Sequence, residues 1–525
     1  VYDWLKIGAN VGYSNRKTQS PATRFGRNAG SAVANIFRWT NGQSPLISLF
    51  ARDKDGNIIK NAAGGDQVHD AANKTYSPLG QTSAATSEAN LIKLLDNDLD
   101  TRNSSDLNLK GYATFSFLKD FKFTTNLSYD RFSETRTRYG NSSTGPSVGI
   151  GAFGKTYQNV AILDAQQLLS WTRDYDKHAF SAMAGHEYYE YNLDNMNFNS
   201  AYGLIDGFPT YANFVGRYTG GTYSNPGGAI EKTSMESYFG RASYIYDEKY
   251  YLEASVRRDG SSKFKFKNNR WGTFWSVGGG WRISAEEFMK GTSGWLKDMK
   301  IRSSYGIIGN QSGIANYSGY QTWNYGAIYS SSTAGTGIPT SFTLNQGAFV
   351  NDGLTWENTR TLDAGVDFTL WQRVHGSIDW YNKLTTNSVW SQPIAYSMGQ
   401  TSLTKNTAGL RNRGFEVDIN VDIIKSKDIR WTVGLNGTHY KTVLTKAPAG
   451  IGSAELGGRW TGGVDGWSRT GGASTTAISY LRGVGMDYYN MYLYKYGGVD
   501  QNTGLPLFYH RVSQADHAAG RWEDM

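Results

Sequence analysis

The most regular feature of the chain is a period-two alternation of apolar and polar positions. From Thr361 to Leu370, the residues Leu362, Ala364, Val366, Phe368 and Leu370 take every second position, with Thr361, Asp363, Gly365, Asp367 and Thr369 between them. Successive side chains of a strand point to opposite faces, so this segment predicts a strand with one apolar and one polar face. After the tight link Trp371-Gln372-Arg373 the pattern resumes, with Val374, Gly376, Ile378 and Trp380 set against His375, Ser377, Asp379 and Tyr381. The two segments predict a hairpin. A second pair follows: Phe415, Val417, Ile419, Val421 and Ile423 alternate with Glu416, Asp418, Asn420 and Asp422, and Ile429, Trp431, Val433 and Leu435 return after a short link. The same arrangement recurs at 238–246 with 250–256, joined by Asp247-Glu248-Lys249, and at 107–118 with 121–132, joined by Lys119-Asp120. About 13 such strands follow from the alternation.

These segments run for roughly 10 to 13 residues, the length a tilted strand needs to cross a bilayer and about twice a usual soluble strand. The acids and amides of 416–422 share one face and cannot meet hydrocarbon, so that face needs water or protein and the other one lipid. Short links alternate with long Gly, Ser, Asn and Tyr-rich connections, expected at about 14–106, 133–158, 192–233, 309–358 and 387–412. Outer-membrane barrels have this asymmetry, with short periplasmic turns and long extracellular loops. Trp271, Trp275, Trp281, Trp380, Trp390 and Trp431 stand toward strand ends and suit interfacial aromatic girdles. One link is different: between Ser284 and Met299, Ala285-Glu286-Glu287-Phe288-Met289 reads as a helical turn behind a Ser cap. The expected fold is therefore all-β, a transmembrane antiparallel β-barrel with long extracellular loops. An odd strand number cannot close a single-chain bacterial barrel, and an open edge in lipid leaves backbone groups unpaired. With Val1-Tyr2-Asp3-Trp4 opening directly in an alternating segment, the chain reads as part of a longer protein whose remaining strands lie elsewhere.

Composition narrows the alternatives. Of 525 residues, 19% are charged, below the roughly 25% of soluble domains. No run approaches the about 20 apolar residues of a membrane-spanning helix. The mean hydropathy of −0.51 agrees with a barrel, because alternation hides the lipid-facing residues in the average. The formal net charge is +8, but Lys and Arg are scattered through turns and loops, which argues against a nucleic-acid partner and reads as a mildly basic surface, with contact to lipopolysaccharide phosphates as the alternative.

Candidate chemistry is sparse. Gly149-Ile150-Gly151-Ala152-Phe153-Gly154-Lys155-Thr156 satisfies the P-loop spacing, but no buried strand precedes it, although 160–171 has a pattern a helix could share. The seven histidines, His69, His178, His186, His375, His439, His510 and His517, show no paired ligand spacing and read as solvated or lumenal. Asp96, Asp98 and Asp100 alternate closely enough to approach a Ca2+ ion but read as an acidic loop. No Ser, His and Asp set stands out. The sequence thus indicates no catalytic residue, no metal site and no cofactor.

Several spaced motifs carry a family resemblance. Ser237-Tyr238-Phe239-Gly240-Arg241, Asp247-Glu248-Lys249-Tyr250 and Arg257-Arg258-Asp259-Gly260-Ser261-Ser262-Lys263-Phe264 come first. Trp281-Arg282-Ile283-Ser284, Glu287-Phe288-Met289, Lys300-Ile301-Arg302 and Tyr305-Gly306-Ile307-Ile308-Gly309-Asn310-Gln311 follow, then Leu354-Thr355-Trp356-Glu357, Asn406-Thr407-Ala408-Gly409 and Arg413-Gly414-Phe415-Glu416. In wording and order they resemble the SusC/RagA group of TonB-dependent receptors, from about Leu107 onward. By themselves these positions are strand ends and tight turns. The resemblance implies a 22-stranded barrel of the bacterial outer membrane that crosses it many times, closed by an N-terminal plug. It implies import of oligosaccharides or peptides, a SusD-like surface lipoprotein as partner, and energy from TonB, with the plug, the TonB-contacting segment and the terminal strands outside this sequence. Nutrient contacts are then expected from loop aromatics, which stack on sugar rings or peptide groups: Tyr202, Tyr211, Tyr218, Tyr223, Tyr317, Tyr320, Trp323 and Tyr325. The competing classes are a structural or adhesive barrel that binds proteins or cells through its loops, and an outer-membrane hydrolase.

Overall fold

The computed structural model describes residues 3–20, 98–142, 151–205, 207–214, 227–265, 267–321, 323–329, 339–346, 350–398, 402–447, 483–489 and 495–509, with shorter pieces within 50–66 and 467–492. Strands dominate: β1 (Leu5–Ser20), β2 (Leu99–Phe117), β3 (Phe121–Gly140), β4 (Ala152–Tyr175), β5 (His178–Ala201), β6 (Gly227–Tyr246), β7 (Tyr250–Ser261), β8 (Trp271–Trp281), β9 (Leu296–Asn310), β10 (Trp323–Tyr329), β11 (Pro339–Gln346), β12 (Glu357–Leu370), β13 (Val374–Pro393), β14 (Ser402–Lys425) and β15 (Arg430–Lys446). Among the described residues, β1–β9 and β12–β15 form one 13-stranded sheet in chain order, and β10 pairs with β11 separately. Each of these strands pairs with the next one of the sheet along the chain, β9 with β12 across the separate β10–β11 pair, as an up-and-down antiparallel meander requires, and the number agrees with the alternation count. By compactness the chain divides into two units, one of residues 1–169, 186–236 and 323–345, the other of 170–185, 237–322 and 346–525.

The strands outrun the predicted segments. β4 and β5 have 24 residues each, about 80 Å of strand at ~3.4 Å per residue and about twice what a tilted crossing needs. The expected loops at 133–158, 192–233 and 387–412 therefore begin and end as strand, and the stretch 160–171 that could pass for a helix lies inside β4. Alternation fades there because both faces are polar outside lipid, while the hydrogen-bonded ladder continues. Three of the short links have three residues, and the first two of each take positive φ: Leu118 and Lys119, Asp247 and Glu248, Trp371 and Gln372. That geometry matches the twist of paired strands.

In the second unit the register sorts side chains into two faces. Leu362 lies opposite Tyr305 and Asn382, Ala364 opposite Ser303 and Trp380, and Val366 opposite Ile301 and Ile378. The row continues through Val417, and Phe415 pairs with His439 on β15. This apolar face is open: Leu252, Ile378, Trp380, Phe415 and Leu435 are exposed. The opposite face carries Asp363, Asp379, Glu416, Ser304 and Thr438. In the first unit Val11, Leu109 and Tyr129 share a row, as do Leu5, Phe115 and Phe123.

Aromatic rings mark where the apolar face ends on the short-turn side of the second unit. Trp171 meets Phe180 at 6.3 Å, Phe180 meets Tyr244 at 4.8 Å, and His178 lies 5.9 Å from Tyr244 and 4.9 Å from Tyr246. The chain of contacts goes on through Tyr246–Tyr250 at 6.3 Å, Tyr250–Trp281 at 6.5 Å and Trp281–Phe288 at 6.4 Å. His178 thus belongs to an aromatic belt, not to the solvated or lumenal setting expected of it. At the other end of β8, Trp271 lies 6.2 Å from Tyr238. Ten residue steps separate Trp271 from Trp281, which is about 34 Å along the strand and about 26 Å in height at a tilt near 40°. An outer-membrane barrel has an apolar band of about 25 Å between its aromatic girdles.

A cation placed mid-band on the apolar face is expected to cost far more than one on the polar face. Val366→Arg should destabilise the protein by about 2–4 kcal/mol in lipid vesicles, while Thr438→Arg, opposite Glu416, should cost less than about 1 kcal/mol. Denaturant unfolding of the reconstituted protein measures both, and equal costs would contradict the facial assignment.

Candidate functional site

The polar face of the second unit contains a cavity of about 730 Å³. Its floor is Gly278-Gly279-Gly280 of β8, flanked by Tyr251 and Glu253 of β7 and by Lys300, Arg302 and Ser304 of β9. Register places Gly278 between Glu253 and Ser304, and Gly280 between Tyr251 and Arg302. The glycines leave room for neighbouring side chains: a Cβ at Gly280 would come within 2.8 Å of Lys300 Cε, and one at Gly278 within 3.4 Å of Ser304 Cβ. Glycine inside a strand commonly marks such a close approach.

Both charge signs line the cavity. Arg241 donates to Glu253 at 2.7 Å, and the Lys300 ammonium sits 3.8 Å from the centre of the Tyr251 ring. Arg302 is the hub. Its Nη2 lies 2.6 Å from Asp379 Oδ1, its Nε 3.1 Å from Asp367 Oδ2 and its Nη1 3.5 Å from Asp363 Oδ1. The Asp379 contact is an ion pair by distance without an aligned hydrogen bond. Gly365 is opposite both Arg302 and Asp379 in the ladder. A Cβ there would collide with the Asp379 carboxylate and come within 2.9 Å of Arg302 Cζ, so the guanidinium crosses the strand where no side chain stands. The arrangement can bind hydroxyl, amide, carboxylate or ammonium groups and supplies no nucleophile paired with a base.

The long-connection ends are packed as two separate small cores. In the first unit Tyr139, Phe153 and Phe214 are buried together with Leu99 and Phe198 against them. Asn213 clamps the adjoining loop, accepting from Ile205 N–H at 2.8 Å and donating to the Ile205 and Phe208 carbonyls at 2.6 and 2.8 Å. In the second unit Phe264, Phe274, Ile314, Leu354 and Trp356 are buried. Lys263 donates to the Ile314 carbonyl at 2.7 Å, Trp356 Nε1 to the Arg270 carbonyl at 3.1 Å, and Asn406 to the carbonyls of Thr355 and Asn387 at 2.7 and 2.8 Å. The motif residues that carry the family resemblance are here the ones that fold the rim.

The short-turn rim is tied by polar contacts. Glu286 accepts from Tyr250 Oη at 2.6 Å and Trp281 Nε1 at 3.0 Å, and these bonds hold its carboxyl below the usual range. Lys249 first and Lys177 second do the same for Asp247, at 3.0 and 3.2 Å. Ile283–Ala285 and Glu287–Thr292 form 3-10 turns, so the expected helical turn is present in tighter form. Ser284 does not cap it. Its hydroxyl donates to Asp298 Oδ1 at 2.8 Å and accepts from Met299 N–H at 3.0 Å, fastening the link to β9.

The tyrosines singled out as nutrient contacts do not gather at one place. Tyr202 follows β5 with φ +64°. Tyr211 packs edge-on to Phe153 at 5.5 Å, with Lys155 Nζ 4.8 Å from its ring centre. Tyr317 and Tyr320 share a turn after β9, Tyr320 N–H donating to the Tyr317 carbonyl at 2.9 Å. Trp323 and Tyr325 are in β10, and Tyr218 and Tyr223 lie outside the described residues. The P-loop-like segment is strand from Ala152 onward, with Phe153 in the first core, and Gly149 and Ile150 lie outside the described residues. Asp98 accepts from Asn141 N–H at 2.8 Å and Asp100 from Arg136 Nε at 2.7 Å, which makes both structural; Asp96 lies outside the described residues. Sequence reasoning missed Arg241, Tyr251, Glu253, Lys300 and Arg302 as a group; the triple glycine was the signal available for it.

The model of the family described as TonB dependent receptor-like, beta-barrel matches residues 3–517. The chain belongs to that family. It is 27% identical over 455 residues to TonB-dependent receptor P3 of Formosa agariphila, covering 85% of this chain and 41% of that protein. It is 33% identical over 221 residues to TonB-dependent receptor SusC of Bacteroides thetaiotaomicron, covering 42% of this chain and 22% of that one. The solved structure of the RagAB peptide transporter matches with a TM-score of 0.71 at 20% identity, over 97% of this chain and 50% of that chain. The chain thus spans half or less of the length of these relatives. The fold is that of an outer-membrane TonB-dependent receptor barrel, in a family of receptors and not of enzymes. In such a barrel the short turns are periplasmic and the long connections extracellular.

Two outcomes test the local chemistry of this receptor barrel. Gly365→Val should force Arg302 and Asp379 apart at a cost of about 1–3 kcal/mol, and Arg302→Ala in the same molecule should relieve part of it, read as coupling in a double-mutant unfolding cycle. Glu286 has a depressed pKa in the folded state, so its stabilising effect is complete above the ordinary carboxylate range near about 4 and is lost as pH falls through the lower folded value. Glu286→Gln should lower the melting temperature at pH 7, and the difference from the unsubstituted protein should shrink as the pH is lowered below about 4. A constant difference across that range would contradict the assignment.

Proposed function

We propose that the chain forms the barrel wall of a SusC-like importer that crosses the bacterial outer membrane many times and takes up oligosaccharides or peptides. The observation that carries this is the two-faced sheet: an apolar face of membrane height backed by a charged polar face with a glycine-floored cavity. A structural barrel has no need of such a lining. In this reading the plug and the remaining strands belong to the rest of a longer receptor, TonB supplies the energy through that part, and a SusD-like lipoprotein covers the extracellular side. The relatives support it, one being SusC and another a peptide transporter by description. No catalytic step is assigned to the chain.

Tyr211, Tyr317 and Tyr320 are exposed on loops held by the two rim cores, and they are the nutrient contacts proposed among the described residues. Tyr202, Tyr218, Tyr223, Trp323 and Tyr325 stay in the proposed set on residue type alone. The test is uptake by whole cells carrying the full receptor, with labelled oligosaccharide and oligopeptide pools supplied side by side. TonB-dependent accumulation of one pool, lowered several-fold by Tyr211→Ala or by Tyr317→Ala with Tyr320→Ala while heat-modifiable barrel mobility is kept, is the expected result. Accumulation of neither pool would remove import as the function.

A further inference from the structure

On the apolar face of the second unit, the run of hydrophobic positions ends at the long-connection side in cations. Arg413 of β14 lies directly opposite Lys441 of β15, one row beyond the Phe415–His439 pair whose rings are 5.7 Å apart. The next row contains Arg360 of β12, Leu384 of β13 and Arg411 of β14. All four cations share the face of Leu362, Ile378 and Phe415, since each is an even number of positions away along an unbroken ladder. Like charges directly opposite on paired strands oppose each other unless an anion joins them.

Among the described residues none of the four is in an ion pair. Arg360, Arg413 and Lys441 are exposed, and Arg411 Nε is buried without a hydrogen-bond partner. The surrounding positions on this face, Leu362, Asn382, Leu384, Phe415, His439 and Val443, carry no carboxylate. Among the described residues, register brings Asp487 to this side, opposite Val443, and it accepts from Tyr489 N–H at 3.0 Å.

The height of the cluster matches a headgroup layer. Arg360 is eleven residues from Trp371 in the short turn, about 37 Å along the strand and about 29 Å in height at a tilt near 40°. The hydrocarbon core is about 30 Å thick. Guanidinium groups at that level face the outer leaflet, and planar forks of donors suit phosphate oxygens.

We propose that Arg360, Arg411, Arg413 and Lys441 form a binding site for the phosphate groups of lipopolysaccharide, whose acyl chains lie along the apolar face below. The site rests on the outer-membrane barrel reading and adds a lipid partner to it. The acyl contacts are continuous with Leu362, Trp380 and Phe415, so headgroup and tails are met by one surface.

The full receptor, reconstituted in phosphatidylethanolamine and phosphatidylglycerol vesicles, is melted with purified lipopolysaccharide, with the same lipopolysaccharide dephosphorylated, and with inorganic phosphate. Lipopolysaccharide should raise the melting temperature, the dephosphorylated form should do so much less, and the triple variant Arg411→Gln, Arg413→Gln, Lys441→Gln should lose the difference. If that variant does not fold, the single Arg413→Gln should show a reduced difference. Equal protection of variant and unsubstituted protein, or no protection of either, overturns the site; protection by inorganic phosphate alone to the same extent overturns its assignment to lipid. A fluorophore on Ile378→Cys, placed in a chain stretch that has no other Cys, separates the two readings. Quenching by nitroxides deep in the bilayer together with indifference to lipopolysaccharide sinks only this proposal, and absence of quenching sinks the barrel reading with it.

Discussion

Backbone amides and carbonyls cannot be left unpaired in hydrocarbon, and every other feature of this chain is arranged around that constraint. A strand solves it only by having a hydrogen-bonded neighbour along the whole crossing. The meander of β1 to β9 and β12 to β15 supplies neighbours in order along the chain, joined alternately by tight turns and by long connections, so that each of these strands lies beside the next one of the sheet. Once the ladder satisfies the backbone, side chains alone decide which side meets lipid, and a period of two divides them cleanly. That is why mean hydropathy is negative in a chain with a full apolar face.

The same constraint shapes the polar face. Arg302 with Asp363, Asp367 and Asp379 would be intolerable in lipid, yet on the wet side it links β9, β12 and β13 across their ladder. Ion pairs that are partly exposed contribute modestly to stability, so their value here is positional. The guanidinium stays low over the sheet because Gly365 leaves its path open, and the cavity beside it stays open because β8 has glycines where other strands place side chains. Charge and absence of side chains work as a pair: one supplies the ligand groups, the other the room.

Legibility in the sequence followed the strength of that period. The β12–β13 hairpin was readable almost residue by residue, because Leu362 to Leu370 and Val374 to Trp380 alternate without a break between lipid-facing and polar positions. The outer halves of β4, β5 and β14 were not, since beyond the membrane both faces are polar and nothing in the pattern distinguishes a paired strand from a loop. Ser284 misled for a different reason: the residue type suits a cap, but Asp298 and Met299 compete for its hydroxyl once β9 is in place. The cavity was invisible because its lining comes from six strands, β6 to β9, β12 and β13, and only register brings Tyr251, Gly280 and Arg302 into one row.

The two ends of the sheet are built on different principles, and this follows from what each must do in the receptor barrel. At the short-turn end, neighbouring turns are stitched directly by backbone bonds, Asp247 N–H to the Lys177 carbonyl at 2.7 Å, Arg282 N–H to Lys249 at 2.7 Å and Trp371 N–H to Trp295 at 2.6 Å, with an aromatic belt just above. Little chain is left over to bind anything. At the other end the strands rise well past the membrane before they turn back, and the connections are long enough to fold small aromatic cores of their own around Phe153 and Trp356. A loop that only linked strands would need no core. Rigid loops lower the ordering cost of binding, so a consolidated rim suits the proposal that exposed tyrosines such as Tyr211 and Tyr317 contact the nutrient.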